Sequence, residues 1–164
     1  MRALKSLLGT SLMRESRMLL GKRMDFIAIV ASFLTELKNR AETATGQTFD
    51  RALSGRPVMF HSADAARNEQ ALVDLTECYH LAGFKDVRFM PEPEAAALAN
   101  RAVLAPGDLG LIVDIGGGTS DFTLFRQQGD AGIDILASKG LRMGGTDFDR
   151  ELSLHHVMPH LGMG

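Results

Sequence analysis

An α/β fold is the class this sequence predicts, on three observations. Strand-like and helix-like runs alternate up to Ala102, three β-like runs crowd residues 109 to 140, and three consecutive glycines separate two of those runs. From Met24 to about Ala44, apolar residues at Ile27, Val30, Phe33, Leu34 and Leu37 recur at the spacing of one helix face, with Gly46 beyond the end as a stop. "RPVMF" at 56 to 60 reads as a short buried strand opened by Pro57, where no ladder donor is needed. A second helix follows, with Ser62 and Asp64 as caps, a face through Leu72, Leu75 and Tyr79, and Gly83 as its C-terminal stop. "KDVRFM" at 85 to 90 is the next strand. "PEPEAAALANRA" begins a third helix, with Pro93 suited to its first position and alanines that favour continuation. "LAPGDLG" at 104 to 110 is a connection, after which "LGLIVDI", "SDFTLFRQ" and "IDILASKG" read as three strands ahead of a helical "TDFDRELSLHHVM".

The 164 residues suit one domain or part of one. Lys and Arg total 18 against 20 Asp and Glu, so a net charge of -2 supplies no basic field for nucleic acid or anionic lipid. Cys78 stands alone, which excludes an internal disulfide and points to a reducing, cytoplasmic setting with the thiol as a small core residue. "FIAIVASFL" at 26 to 34 is far short of the roughly 20 residues that span a bilayer, so no membrane partner is expected. The start, "MRALKSLLGTSLMRESRMLLGKR", carries Arg and Ser with few acids: it is either an amphipathic transit segment or a surface-exposed leading part of the domain. His156 and His160 stand four apart without a third ligand at suitable spacing and read as surface residues, and the nine methionines as core fillers.

The chemistry concentrates in "VDIGGGTSDF", residues 113 to 122. Glycines after a strand let the backbone approach a ligand, and successive free N–H groups there form an anion-binding concavity. A P-loop needs a Lys followed by Ser or Thr, and a dinucleotide fingerprint needs a third spaced glycine and a helix. Neither pattern is present: Asp121 holds the third-glycine place, and Phe122, Leu124 and Phe125 continue as a strand. The loop is therefore a tight β-hairpin tip. By composition alone it is equally a plain glycine hairpin, and Asp114 and Asp121, each taken alone, read as ordinary turn residues. With phosphate in the loop, the two carboxylates bracket a place for hydrated Mg²⁺, which uses few protein ligands.

"VDIGGGTSDFTLF" resembles the second phosphate motif of the actin-like ATPase superfamily, specifically of the heat shock protein 70 (DnaK-like) chaperones. "AGFKDVRFMPEPEAAALA" is similar to that family's segment leading into its first connecting helix, "MGGTDFDREL" to its Gly-Gly-x-Asp-Phe-Asp stretch, and "KSLLG" at 5 to 9 to the segment that carries its catalytic lysine. "KSLLG", "GRPVMF", "GFKDV" and "MPHLGMG" resemble most an atypical, YegD-type branch. The resemblance implies an actin-like (ribonuclease H-like) ATPase fold, with 1–105 part of a first lobe and 106–164 the start of a second. It also implies ATP or ADP with Mg²⁺ as cofactors, and unfolded clients and cochaperones as partners through other regions. Position by position, it assigns Gly117, Gly118 and Thr119 to the phosphates, Gly116 to the turn, and Gly144 and Gly145 to a close turn beside the nucleotide. Asp114 and Glu92 would hold waters on Mg²⁺. Asp121, near the metal through water, would accept a proton from the attacking water that Lys5 orients, and Pro57 matches a proline that relays nucleotide state. Pro91 stands where Asn is common, Glu94 where Thr is usual, and Thr146 where an acid is common; these departures put hydrolysis in doubt more than phosphate contact.

The family's first phosphate clasp does not precede Lys5, and its adenosine-binding segments do not follow within these residues. The expectation is a fragment that binds ATP weakly or not at all by itself and leaves a sheet edge and an apolar face uncovered. A non-catalytic interaction module, and another actin-like member such as a sugar kinase, stand as alternatives.

Overall fold

The computed structural model describes residues 7–19, 21–61 and 64–162, so Lys5 and Ser62 lie outside the described residues. The chain separates into two compact units, residues 1–56 with 63–90, and residues 57–62 with 91–164.

In the first unit, a 3₁₀ turn at Ser11–Arg14 leads into a hairpin of β1 (Ser16–Leu19) and β2 (Lys22–Asp25), paired antiparallel from Ser16 opposite Asp25 to Leu19 opposite Lys22. Gly21 supplies the left-handed turn residue at φ 76°. Residues 7–19 are folded within this unit, with Leu8 and Met13 buried and residues 14–18 exposed at the surface. Asp25 then caps α1 (Phe26–Thr45) by accepting the Ala28 N–H, and Gly46 ends that helix at φ 67°. Next come β3 (Arg51–Arg56), α2 (Ala65–Leu81, capped by Asp64) and β4 (Asp86–Pro91), with β3 and β4 hydrogen-bonded to each other. The expected strand "RPVMF" is corrected here: the ladder occupies "RALSGR", and the chain leaves it at Pro57, which has no N–H to donate. Phe60 is buried all the same, so the apolar run marks packing and not a strand.

α1 and α2 pack together over a core that includes Ile27, Ala31, Ala71 and Cys78. Burial pushes the Cys78 thiol up to about 12, reinforced by nearby Asp74 and Glu77, so it stays protonated and inert. Tyr79 meets the edges of Phe84 and Phe89 at 5.6 and 6.4 Å and donates its hydroxyl to Ser54 at 2.9 Å. Met13 is the one fully buried methionine among the described residues, whereas Met18 and Met143 are exposed, so core filling describes few of them. His155, His156 and His160 are exposed, while His61 is buried.

The polar centre of the first unit is Asp74, only 1% exposed. Its carboxylate accepts the Gly9 N–H at 2.9 Å, the Gln70 amide at 2.9 Å and the Arg14 guanidinium at 3.3 Å. Arg14 also grips Glu77 with two bonds of 2.9 and 2.7 Å, which holds the Glu77 carboxyl below its usual range. Gly9 sits at φ 77° against the Arg67 carbonyl, where a β-carbon would not fit. One buried carboxylate therefore ties the leading segment to α2.

In the second unit, α3 (Glu92–Ala99) packs across a three-stranded antiparallel sheet of β5 (Leu109–Ile115), β6 (Ser120–Gln127) and β7 (Ile133–Leu141), in the order β5-β6-β7. Phe125 and Ala97 lie in this core, and Gly110 makes room for the Phe125 ring. The predicted last helix is α4 (Gly145–Leu152), continued by a π turn and a 3₁₀ turn to Leu161. The opposite face of the sheet is open: Leu109, Leu111, Val113 and Ile115 are 50–61% exposed. Among the described residues, no helix is long and apolar enough to cross a membrane.

Removing the Asp74 carboxylate strands three donors, one of them a backbone amide. Asp74→Ala is expected to lower unfolding free energy by about 3 kcal/mol, measured by urea denaturation. A loss under about 1 kcal/mol would show that the cluster is not what anchors residues 7–14.

Candidate phosphate-binding site

The glycine loop is a hairpin tip, as its pattern requires. Ile115 pairs with Ser120, and the Gly116 N–H donates to the Thr119 carbonyl at 2.8 Å, closing a turn of residues 116 to 119. A second glycine turn is laced to it. The Gly145 N–H donates to the Gly116 carbonyl and the Thr146 N–H to the Gly117 carbonyl, both at 2.9 Å, and the Thr146 hydroxyl donates to that same Gly117 oxygen. Ser120 adds a bond from its hydroxyl to the Met143 carbonyl at 2.7 Å. Gly144 lies too close for any side chain: a β-carbon there would stand 2.5 Å from the Gly116 oxygen and 2.7 Å from the Gly118 nitrogen. Asp147 secures the same turn by accepting the Gly144 N–H at 2.9 Å, which also caps α4.

This lacing decides where the loop amides point. In a planar trans peptide the N–H is directed opposite to the C=O of the same plane, and no peptide bond here is cis. The carbonyls of Gly116 and Gly117 both face the 144–146 turn, so the N–H groups of Gly117 and Gly118 both face away from it. Among the described residues, neither of these amides nor that of Thr119 donates to a protein acceptor. Gly117 is exposed and Gly118 half-buried, so the donors are reachable from solvent. Adjacent free amides with a common direction carry partial positive charge and suit an anion.

The carboxylates take a definite arrangement. Asp114 and Asp121 are cross-strand partners, so both leave the sheet on one face, Asp114 half-buried and Asp121 2% exposed. Like charges directly opposite each other are unfavourable unless donors or a cation offset them. Gly140, opposite Asp121 on β7, is a residue that sequence reasoning missed: a β-carbon there would lie 2.8 Å from Asp121 Oδ1. Its signal was a glycine inside a strand, the mark of a close approach. Glu92 is half-buried at the first position of α3, with Pro91 ahead of it making no side-chain cap. Among the described residues, no three His, Cys, Asp or Glu side chains gather closely enough to hold a metal ion directly. Two oxygen ligands on one face fit a hard cation that keeps most of its water, and do not fit zinc or another cation needing a full protein cage.

Gly144 has φ -154°, so an alanine there meets no backbone strain and only the steric overlap. Gly144→Ala is expected to cost about 2–3 kcal/mol in denaturant unfolding, because the hairpin tip and the 144–146 turn must move apart. Gly118→Ala, with open space around its β-carbon, is expected to change stability by less than about 0.5 kcal/mol. Equal effects of the two would contradict the lacing.

Comparison with known proteins identifies the family. The family model described as Hsp70 protein matches residues 10–160. A chaperone protein HscA homolog of Pseudoalteromonas atlantica is 30% identical over 144 residues, covering 87% of this chain and 22% of the relative. Chaperone protein dnaK1 of Prochlorococcus marinus subsp. pastoris is 33% identical over 125 residues, covering 76% of this chain and 18% of the relative. The chain thus spans about a fifth of the length of these curated relatives. With a family match over nearly all of its residues, the chain belongs to the Hsp70 family.

Proposed function

We propose that this chain is a portion of the ATP-binding and ATP-hydrolysing domain of an Hsp70-like chaperone with an actin-like fold. In this reading the hairpin tip receives the nucleotide phosphates. The observation that carries it is the pair of acceptor-free amides at Gly117 and Gly118, aimed together by carbonyls anchored on the 144–146 turn. Thr119 adds a third amide and a hydroxyl, and Gly116, Gly144 and Gly145 hold the two turns in place. Asp114 and Glu92 would orient waters around Mg²⁺, and bound Mg²⁺ would neutralise charge on the phosphates. Asp121, buried beside Gly140, would accept a proton from an attacking water, directly or through another water. Lys5 would orient that water and offset γ-phosphate charge. Clients and cochaperones would engage the full-length protein, in the cytoplasm, and "KSLLG", "GRPVMF" and "GFKDV" support the YegD-type branch.

A second reading, a non-catalytic interaction module, is favoured by the open apolar face of β5, an edge strand with no Pro and one charge. The relatives named above support the chaperone branch over a sugar kinase.

Each charge-assisted hydrogen bond is worth roughly 1.5–3 kcal/mol, so the two or three amides of the hairpin tip would by themselves hold phosphate weakly. Calorimetric titration with ATP is expected to show weak, millimolar binding that requires Mg²⁺ and falls about tenfold or more in Asp114→Asn. Undiminished binding by that variant would contradict the metal role, and no binding by the unaltered chain would favour the interaction module.

A further inference from the structure

We infer that Thr146 is a positioning residue for the phosphate hairpin, acting through the Gly117 carbonyl as a latch on the 117–118 peptide plane. The inference rests on the phosphate reading above and adds to it what sets the direction of the Gly118 amide. A carbonyl oxygen has two lone pairs, and in Gly117 both are engaged by one residue, through the Thr146 N–H at 2.9 Å and through its hydroxyl. The plane cannot rotate without breaking both bonds, and the Gly118 N–H turns with it. Gly118 has no side chain to restrain the plane and, among the described residues, nothing beyond its chain neighbours within 4 Å of where a β-carbon would stand and no protein acceptor for its N–H. A flip of that peptide would present a carbonyl oxygen to an incoming phosphate in place of a donor. The latch therefore decides whether this part of the tip attracts an anion or repels it.

The neighbouring plane shows the contrast. The Gly116 carbonyl, in the 116–117 plane, is held by the Gly145 N–H alone, a single tie. The 117–118 plane has the matching backbone tie from the Thr146 N–H, and the Thr146 hydroxyl adds a second to the same oxygen. An acidic side chain at 146 has no proton to donate to a carbonyl at neutral pH. It would instead set a negative charge beside the Gly117 oxygen. A hydroxyl at 146 consequently trades that charge for rigidity in the loop. Valine keeps the shape and removes the donor; serine keeps the donor.

The test uses the whole chain labelled with ¹⁵N and ¹³C, with ADP and Mg²⁺ as probe. Without nucleotide, Thr146→Val is expected to shift the Gly117 carbonyl ¹³C signal and lower the order parameter of the Gly118 amide, while Thr146→Ser leaves both near the unaltered values. With Mg-ADP, Thr146→Val is expected to weaken binding, read at the Gly117 and Gly118 amides, by about two- to tenfold, the range of one ordinary hydrogen bond, and Thr146→Ser to restore it. Thr146 is exposed, and all three proteins are expected to unfold at nearly the same urea concentration, which separates positioning from stability. An unchanged Gly117 carbonyl signal in Thr146→Val overturns the latch whatever the nucleotide does. An altered carbonyl with equal Mg-ADP affinity overturns its role in binding and leaves the phosphate reading standing. Absence of any amide response in the unaltered chain overturns the phosphate reading, and the positioning role with it.

Discussion

The second unit is organised around the clasp between two glycine turns, in which backbone donors at 145 and 146 take the carbonyls of 116 and 117. The direction of the loop amides follows from that clasp, because a peptide plane has two polar ends and fixing one fixes the other. Carbonyls drawn inward leave amides directed outward. Glycine at 144 is the steric condition for it, since the two turns approach to within a distance that leaves no room for a β-carbon. The hairpin ladder beneath the tip then sets Asp114 against Asp121 by register alone. Amides and carboxylates are thus placed by backbone geometry and do not depend on the rotamers of long side chains. Such a site loses little conformational entropy when it binds.

The two units solve burial differently. The first secures its leading segment with a buried carboxylate that satisfies a glycine amide, a glutamine and an arginine, a polar centre enclosed by two packed helices. The second puts α3 on one face of its sheet and leaves the leucines, valine and isoleucine of β5 open on the other. A contiguous exposed apolar face of this kind is the type of surface used for protein or ligand contact.

Much of this was legible in the residues. The tip at 116–119 follows from three glycines followed by a continuing strand pattern, and the three strands of the second unit fall where the apolar runs end at turn residues. The opposition of Asp114 and Asp121 was implicit in the same count, since a turn over 116–119 makes 115 face 120 and 114 face 121. β3 was misplaced because "RALSGR" hides its alternation in small and charged residues, while the more apolar "PVMF" beside it begins with a proline that ends the ladder. The β1–β2 hairpin was overlooked because its strands carry Ser, Arg, Lys and Asp among few apolar residues, and only Gly21 announced the turn. Thr146 stood out in the sequence as a departure, but its effect depends on a contact 29 positions away that no local pattern encodes.

The most direct measurement is a crystal structure of the chain grown with ADP and Mg²⁺. The account predicts phosphate oxygens about 2.7–3.2 Å from the Gly117 and Gly118 nitrogens, with the 116–119 turn still clasped by residues 145 and 146. Density for the nucleotide elsewhere, or a tip whose Gly117 carbonyl has turned toward the phosphates, would contradict it.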